Sequence, residues 1–250
     1  MIVGGILLLI VAVVCYFIAR SQAGKLEAMN AADTYTAQML GDLHGRVTAA
    51  LGAEALTQPC EVAGVIETDT PLIAPLSKIA CVAYTYAVTR EFEEDITSTD
   101  SEGRTSTRTE RSTETLESED RRANFWVRDT TGRTLVVPEG AELDLVETSN
   151  HFEAAAAPGY GRRRDLGRRS VEQALAVGTQ VYILGCAVDH QGQAAVGRSP
   201  KDSKARFMIS RRTERELAQS AASWSRNLYY AAAGSGAVGL VLLVLGFVRR

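Results

Sequence analysis

The chain has too few cysteines and histidines for the commonest structural metal sites. Its 250 residues include four Cys and three His, and the cysteines at positions 15, 60, 81 and 186 form no Cys-x-x-Cys pair. A zinc finger needs four converging ligands, and a disulfide framework needs evenly paired Cys. We therefore expect no metal. Two alternatives stay open: a Cys60–Cys81 bridge in an oxidising compartment, and a site assembled from Cys60, Cys81, Cys186 and one His.

Motifs that carry catalysis are also missing. The sequence contains no HExxH, GxSxG, Walker loop or complete GxGxxG, so the reactions built on them are not indicated. His151 and His190 have no nucleophile near them in sequence. Cys186 and His190, if both lie in one strand, would be about 13 Å apart. His44 is interpreted as a partly exposed polar residue of a helix. We predict no catalytic, cofactor-binding or metal-binding residues.

Lysine is scarce, and there is no excess of positive charge. The chain has 4 Lys against 23 Arg and a formal net charge of −3. This composition is typical of a high-GC bacterium, and the charge gives no overall argument for a nucleic-acid partner. A basic cluster, Arg162–Arg169, lacks the aromatic platforms of a nucleic-acid site. We interpret it as a solvated loop, with an acidic partner or lipid headgroups as the alternative.

Long uncharged runs are present at both ends. Residues 2–19 would span about 27 Å as a helix, close to the hydrocarbon thickness of a bilayer, and residues 228–248 form a second run. The first run lacks the basic start and the cleavage site of a signal peptide. We predict two retained transmembrane helices. Small residues at 232, 235, 236 and 239 favour close helix contact, either between the two anchors or in self-association.

The charges that flank the runs leave the orientation open. Six basic residues flank the inner ends of the runs, at positions 20, 25, 211, 212, 215 and 226, whereas only Arg249 and Arg250 flank the outer ends. The positive-inside rule then favours a cytoplasmic middle domain. The rule weakens for a loop of this length.

Between the anchors we predict an α+β arrangement. An amphipathic helix over 25–51, interrupted near Gly41 or Gly45, follows the first anchor, and a helix leads into the second. The region 52–218 is predicted to be a β-rich soluble domain, with strands at 61–67, 80–92, 123–129, 133–138, 179–188 and 205–210. The polar stretch 93–120 is either disordered or a solvated hairpin turning at Asp100–Gly103. Residues 171–176 favour a short helical turn.

The strand 80–92 carries apolar residues on both faces, which indicates a central strand. It follows the proline-rich stretch PLIAPLSK at 71–78. We interpret Cys81 as a buried structural residue, because a free buried Cys behaves as a small hydrophobe. Tyr84 and Phe125 are predicted core residues, and Trp126 is assigned to core or strand face. Residues 125–137 indicate a hairpin turning at Asp129–Gly132.

The order of these segments resembles a known family. The stretches VAGVIETDTPLIAPLSKIACVAYTYAVTREFEE, NFWVRDTTGRTLVVPEGAELDL, VEQALAVGTQVYILGCA and FMISRRTERELAQ resemble the GIDE domain, also called the BAM (beside-a-membrane) domain. The resemblance covers about Gly52 to Ala218. Relatives in mitochondria and plastids are membrane-bound E3 ubiquitin ligases with a C-terminal RING, and their domain faces the intermembrane space. That implies an extracytoplasmic domain here, against the charge count.

The sequence departs from those relatives after the second anchor, where only Arg249 and Arg250 follow. We expect no RING, as in bacterial members that keep the domain and anchors alone. The predicted function is a non-catalytic module of the bacterial plasma membrane that binds the lipid bilayer and an unidentified protein partner or ligand. The alternatives are ubiquitin ligase activity, as in the RING-bearing relatives, and a membrane-associated hydrolase or thiol enzyme.

Overall fold

The computed structural model of the chain describes residues 2–30, 32–52, 55–99, 101–156 and 163–248. Arg162, Arg249 and Arg250, which the sequence analysis names, lie outside the described residues. Helices occupy both ends of the described chain, and β-strands make up most of the domain between them. The β-rich domain between apolar helices agrees with the predicted fold class.

The helices are α1 (Ile2–Asn30), α2 (Ala37–Leu51) and α3 (Glu214–Val248). The helix predicted over 25–51 is therefore divided. Its first residues continue α1, and α2 starts afresh at Ala37, while Gly41 and Gly45 lie inside α2. The new start has a physical cause, because the Asp129 carboxylate accepts a hydrogen bond of 2.8 Å from the Ala37 N–H. This satisfies one of the free amides that every helix N-terminus leaves.

The strands run in chain order as β1 (Asp33–Thr34), β2 (Thr57–Glu67), β3 (Leu72–Ile73), β4 (Ala80–Thr99), β5 (Thr105–Arg122), β6 (Phe125–Arg128), β7 (Arg133–Val136), β8 (Glu142–Leu143), β9 (Val146–Ala154), β10 (Arg163–Ala176), β11 (Gln180–His190), β12 (Gln193–Gly197) and β13 (Met208–Ser210). The six predicted strands are confirmed as β2, β4, β6, β7, β11 and β13, with shifted ends. The hairpin turning at Asp129–Gly132 is confirmed as β6–β7.

Strands β2, β6, β7, β12 and β11 close into a barrel. β6 joins β2 to β7, β12 pairs in parallel with β7, and β11 pairs with both β12 and β2. The ring therefore has no open edge of the kind that invites aggregation. Its interior is filled by apolar side chains, with α2 packed against them: Leu40, Val62, Ile66, Phe125, Val127, Val136, Val181, Ile183 and Val196.

A second antiparallel sheet is attached to the barrel. Its order is β3-β4-β10-β9, and β5 pairs with the other edge of β4. β4 is therefore a central strand, as its two apolar faces predict. The base of this sheet shares the barrel core through Val82, Ala83 and Leu175. Phe125 and Tyr84, only 1% and 8% exposed, are confirmed as core residues.

Two strands of the second sheet are missing from the sequence prediction. The helical turn predicted at 171–176 and the solvated loop predicted for the arginine cluster are both wrong, because β10 runs through them. It pairs with β4 on one side and β9 on the other. Hydrogen bonds to two neighbouring strands outweigh the helix propensity of the sequence VEQALA. The stretch 93–120 forms the long β4–β5 hairpin rather than a disordered segment.

The terminal helices pack against each other through small residues. A Cβ added to Gly5 would lie 2.9 Å from the Gly239 carbonyl oxygen, and one added to Gly236 would lie 3.7 Å from the Ala12 Cβ. The small residues of α3 thus serve contact within the chain. The stretches Val3–Ser21 and Arg226–Leu245 are long and apolar enough to cross a membrane.

Candidate functional site

The β4–β5 hairpin extends beyond the described part of β10. Among the described residues, β10 accompanies β4 as far as Glu94, and the two-stranded part of the hairpin that follows, residues 95–99 and 101–109, is called the arm. Its side chains are nearly all exposed. Hydroxyl pairs across the two strands hold its register: Thr97 with Thr107 at 3.2 Å, and Ser98 with Ser106 at 3.1 Å. The arm is therefore an ordered ribbon that buries little of itself.

The arginine cluster of β10 is paired inside the second sheet. Arg169 contacts Glu91 at 2.7 Å, and Arg163 contacts Glu114 at 2.9 Å with its guanidinium 3.5 Å from the centre of the Phe92 ring. The acidic partner that the sequence analysis considered for these arginines thus lies on β4 and β5 of the same chain. The cluster positions strands and offers no unpaired basic patch at these residues.

Glu172 is the most deeply buried charged residue of the second sheet and fixes the proline-rich stretch. Its carboxylate accepts hydrogen bonds from the Leu76 N–H, from the N–H and hydroxyl of Ser77, and from the Thr148 hydroxyl. Burial on its own would raise the pKa of Glu172, but these donors together hold it below its ordinary value. The turn also places Lys78 at a φ of 61°. The stretch 71–78 is therefore a structural turn.

A cavity of about 760 Å³ lies beside α1. We call it the α1 cavity. Segments distant in sequence form its walls: Ser21, Gly24 and Glu27 of α1, Thr57 and Pro59 of β2, Leu184–Cys186 of β11, and positions between 199 and 206. Because Ser21 is also the last residue of the first apolar stretch, the cavity opens where α1 leaves that stretch.

The α1 cavity combines a buried apolar floor with a charged rim. Leu184 and Cys186 are only 2% and 4% exposed, whereas Lys201 and Lys204 are exposed. Arg206 reaches from the rim to α1, donating to the Ser21 carbonyl at 3.4 Å. Burial raises the pKa of the Cys186 thiol, although Ser199 and Lys201 oppose the shift. The geometry suits a molecule with one apolar end and one anionic end.

A buried acidic residue, Glu61, lies on the face of β2 and β11 that also lines the α1 cavity. It connects the segment that follows α1 to the barrel. Glu61 is 4% exposed and accepts hydrogen bonds of 2.5 Å from both the Thr34 and the Tyr182 hydroxyls. Burial, reinforced by the bond to Glu61, raises the pKa of Tyr182. A cavity of about 140 Å³ lies next to this group, towards the start of α3. Glu61 thus anchors the segment that follows α1.

Comparison with known proteins identifies the family. The model of the GIDE family, described as an E3 ubiquitin ligase, matches residues 93–246, which cover the arm, strands β5 to β13 and most of α3. The chain belongs to the GIDE family. The match confirms the resemblance read from the sequence. No curated protein and no solved structure matches the chain significantly.

The three cysteines of the β-rich domain of this GIDE chain, Cys60, Cys81 and Cys186, are buried. All four cysteines are free, so the alternative of a Cys60–Cys81 bridge is not realised. Burial raises the pKa of Cys60, Cys81 and Cys186. A thiol acts as a nucleophile or a metal ligand through its thiolate. Cys81 lies in the second sheet with its Sγ 3.6 Å from the Leu72 carbonyl, which agrees with its structural interpretation.

The three histidines of the GIDE chain lie apart. The His44 Nε2 is 2.7 Å from the Asp189 Oδ2, joining α2 to the end of β11. The hydrogen bond from His44 lowers the pKa of Asp189. His151 is exposed on β9, whereas His190 pairs with Gln193 at the β11–β12 turn. Among the described residues, no group of three or more His, Cys, Asp or Glu side chains converges on one point.

Sequence reasoning did not identify the α1 cavity or the two buried glutamates. The cavity depends on four segments that meet only after folding, and no local pattern marks them. Glu61 offered a weak signal, because it lies in an otherwise apolar strand at a position where an acid needs a partner. Glu172 lies in a strand with many charged residues and offered no such signal.

Proposed function

We propose that this GIDE chain is a two-pass membrane protein that acts as a binding module without catalytic activity of its own. Only 11% and 6% of the two apolar stretches are buried, so they are not core helices of a soluble domain. Large side chains such as Phe17 and Leu240 are 64% and 59% exposed. Such surfaces are stable in lipid and costly in water. The lipid bilayer, taken here as a bacterial plasma membrane, is the first partner.

The observation that carries the binding role is the arm. Ordering each residue of a chain costs about 1–2 kcal/mol, and the arm recovers little of this through burial. One edge of β5 is also open, because its only partner among the described residues is β4. An open edge can receive a strand from another protein, and the many charged side chains of β5 oppose indiscriminate pairing. We therefore assign the protein partner to the arm.

Ubiquitin transfer, which the family description names, is the competing function. A RING depends on zinc held by Cys and His thiolates and imidazoles. The thiols of the soluble domain are instead buried in the barrel and the second sheet, each with a raised pKa. The same burial opposes a thiol enzyme. These observations support a binding role over a catalytic one.

Shortening the arm tests the proposal. Ile96 and Arg108 are paired across the hairpin, so residues 97–107 can be replaced by Asn-Gly, which forms a tight two-residue turn. The full chain and the shortened variant are expressed in native membranes and crosslinked to their neighbours. We expect specific crosslinked proteins to disappear in the variant while its melting temperature is unchanged. Identical crosslinking patterns would contradict a role for the arm.

Two further measurements address anchoring and catalysis separately. Carbonate extraction should leave the chain in the membrane pellet, and release into the soluble fraction would contradict anchoring. A reconstituted ubiquitination assay with the purified chain should give no transfer. Polyubiquitin formed by the chain, or stoichiometric zinc that resists dialysis, would overturn the non-catalytic role.

A further inference from the structure

We propose that the α1 cavity binds the phosphate-bearing headgroup of an anionic membrane lipid. The inference rests on the membrane anchoring proposed above and is independent of the arm. It assigns a ligand class to this cavity, whose walls are contributed jointly by α1 and the barrel.

The position of the cavity along α1 matches the headgroup layer. The apolar stretch ends at Ser21, and the cavity extends along α1 from Ser21 to Glu27. Six helical residues cover about 9 Å. A bilayer of about 40–45 Å with a hydrocarbon core of about 30 Å leaves roughly 5–8 Å of headgroup on each side. A lipid in the adjoining leaflet therefore presents its phosphate at the level of the cavity.

The rim supplies charge of the right sign. Lys201 and Lys204 form no ion pair with a described residue, and they are two of only four lysines in the chain. Lysine binds phosphate as a compact point charge. Arg206 adds a third cation, although it also contacts Glu142 at 3.3 Å. Two carboxylates, Glu27 and Asp202, also line the cavity. The rim therefore carries a net positive charge of one unit.

The backbone of the loop holds the lysines in place. The Asp202 carboxylate accepts a hydrogen bond of 2.9 Å from the Lys204 N–H, and the Asp202 N–H donates to the Ser199 hydroxyl at 3.1 Å. Arg198 donates to the Ser203 carbonyl at 2.9 Å. Asp202 is thus engaged in shaping the turn. A loop that is ordered before binding loses less entropy when its ligand arrives.

The floor of the cavity distinguishes a lipid from a free phosphate compound. Pro59, Leu184 and the Cys186 thiol present apolar surface beneath the cationic rim. Inorganic phosphate gains nothing from that surface, whereas the glycerol and first acyl carbons of a lipid bury apolar area against it. The apolar floor and its place beside α1 together favour the membrane as the source of the ligand.

The test uses the full chain in nanodiscs made of phosphatidylcholine with or without phosphatidylglycerol. Co-purified lipid is quantified by native mass spectrometry after transfer to detergent. We expect wild type to retain phosphatidylglycerol in preference to phosphatidylcholine. Lys201→Gln combined with Lys204→Gln should weaken retention about 30-fold, since a basic residue near an anionic surface contributes about fivefold. Lys78→Gln removes the same charge from an exposed turn outside the cavity and should have no effect.

A second variant separates cavity binding from general surface attraction. Gly24 lines the cavity, and a Cβ added there meets no atom within 4 Å. Gly24→Leu therefore occupies space in the cavity, keeps every charge and favours the helix. We expect it to lose phosphatidylglycerol selectivity. Gly4→Leu, on the same helix and equally unobstructed, should retain it.

The outcomes separate the sources of the ligand. Retained selectivity in Gly24→Leu, or equal retention of both lipids by wild type, would overturn the proposal. Inorganic phosphate or glycerol phosphate is also added to wild type in nanodiscs that contain phosphatidylglycerol, and the retained lipid is quantified in the same way. Displacement of phosphatidylglycerol by these soluble compounds would assign the site to a free phosphate ligand instead. Loss of anchoring is detected independently by carbonate extraction.

Discussion

β11 of the barrel and β5 of the arm hairpin are both long strands, yet different forces hold them. β11 is buried from Val181 to Ala187 and contacts β2, β12 and β13. β5 is exposed along nearly all its length and pairs with β4 alone among the described residues. The barrel is therefore stabilised by burial of apolar area, whereas the outer hairpin depends on backbone hydrogen bonds and cross-strand pairs.

The difference divides the molecule into a rigid base and a polar extension. Interactions in the barrel are insensitive to salt, because they are apolar and dry. The ion pairs of the second sheet lie near water, where each contributes little and is screened by ions. Substitutions in the barrel should therefore destabilise the protein much more than substitutions in the second sheet or the arm.

Phe125→Ala should have the largest effect. The ring is 1% exposed inside the barrel core, and its removal should lower the free energy of unfolding by about 3–5 kcal/mol. Denaturant unfolding of the chain in detergent measures the change, with Trp126→Ala on the same strand as the half-buried control. A Phe125→Ala variant that unfolds like wild type would refute the apolar barrel core.

Tyr84→Ala should lower the free energy of unfolding by about 3 kcal/mol, because this aromatic ring is also buried.

Glu172→Gln should come next, with a loss of about 2 kcal/mol at neutral pH, because an amide cannot accept from all the buried donors that the carboxylate satisfies. The folded-state pKa of Glu172 is lowered. Its stabilisation is therefore fully present above the unfolded pKa of about 4.3 and is lost as pH falls through the folded pKa.

Unfolding measured as a function of pH checks this second prediction. Wild type should lose stability on acidification more steeply than Glu172→Gln, so that the two curves converge at low pH. Glu153→Gln, at an exposed position of β9, serves as the control for an exposed carboxylate. A constant difference between wild type and Glu172→Gln at every pH would show that the ionised state of Glu172 is not what stabilises the turn.

Arg169→Gln should have a small and salt-dependent effect. Arg169 contacts Glu91 at 2.7 Å, but its own side chain is 40% exposed. We expect a loss of about 0.5 kcal/mol at low ionic strength that shrinks when salt is added. Unfolding at two salt concentrations measures it. The Arg169 guanidinium also lies 5.1 Å from the centre of the Phe152 ring, and an effect that is unchanged by salt would mean that this packing is the stabilising contact.

Ile96→Ala should have the smallest effect, although it removes as many apolar carbons as many core substitutions. The side chain is 37% exposed near the base of the arm, so the change in stability should stay within about 0.5 kcal/mol. The same unfolding assay compares it directly with Phe125→Ala. A loss above about 1 kcal/mol would indicate that Ile96 packs against another surface and that the arm is not a free ribbon.

Much of the fold could be predicted from sequence, and the misses have physical causes. β2, β4, β6 and β11 alternate or are β-branched, so their local pattern agrees with their final environment. β9 and β10 carry charged and helix-favouring residues, and only pairing with β4 makes them strands. The helix break before Ala37 depends on Asp129, which lies 92 positions away in sequence.

The candidate sites were less predictable than the fold. The turn signal at Asp100–Gly103 suggested a hairpin but gave no sign that its end would project beyond the described part of β10. The α1 cavity joins residues between positions 21 and 206, so no single window of sequence contains it. The conspicuous arginine cluster attracted a functional interpretation, yet Arg163, Arg164 and Arg169 each pair with a glutamate of β4 or β5.

The length of α3 sets the distance between the β-rich domain and the apolar stretch of the same helix. Neither Gly nor Pro occurs between Glu214 and Arg226, and this rod of about 18 Å sets the clearance between β13 and the apolar stretch. One residue added to the helix moves the attached domain by about 1.5 Å along the helix axis and rotates it by about 100°. Matched insertions in α1 and α3, on the membrane side of the contacts that Ser21 and Leu217 make with the soluble domain, would thus rotate the arm around the helix axis.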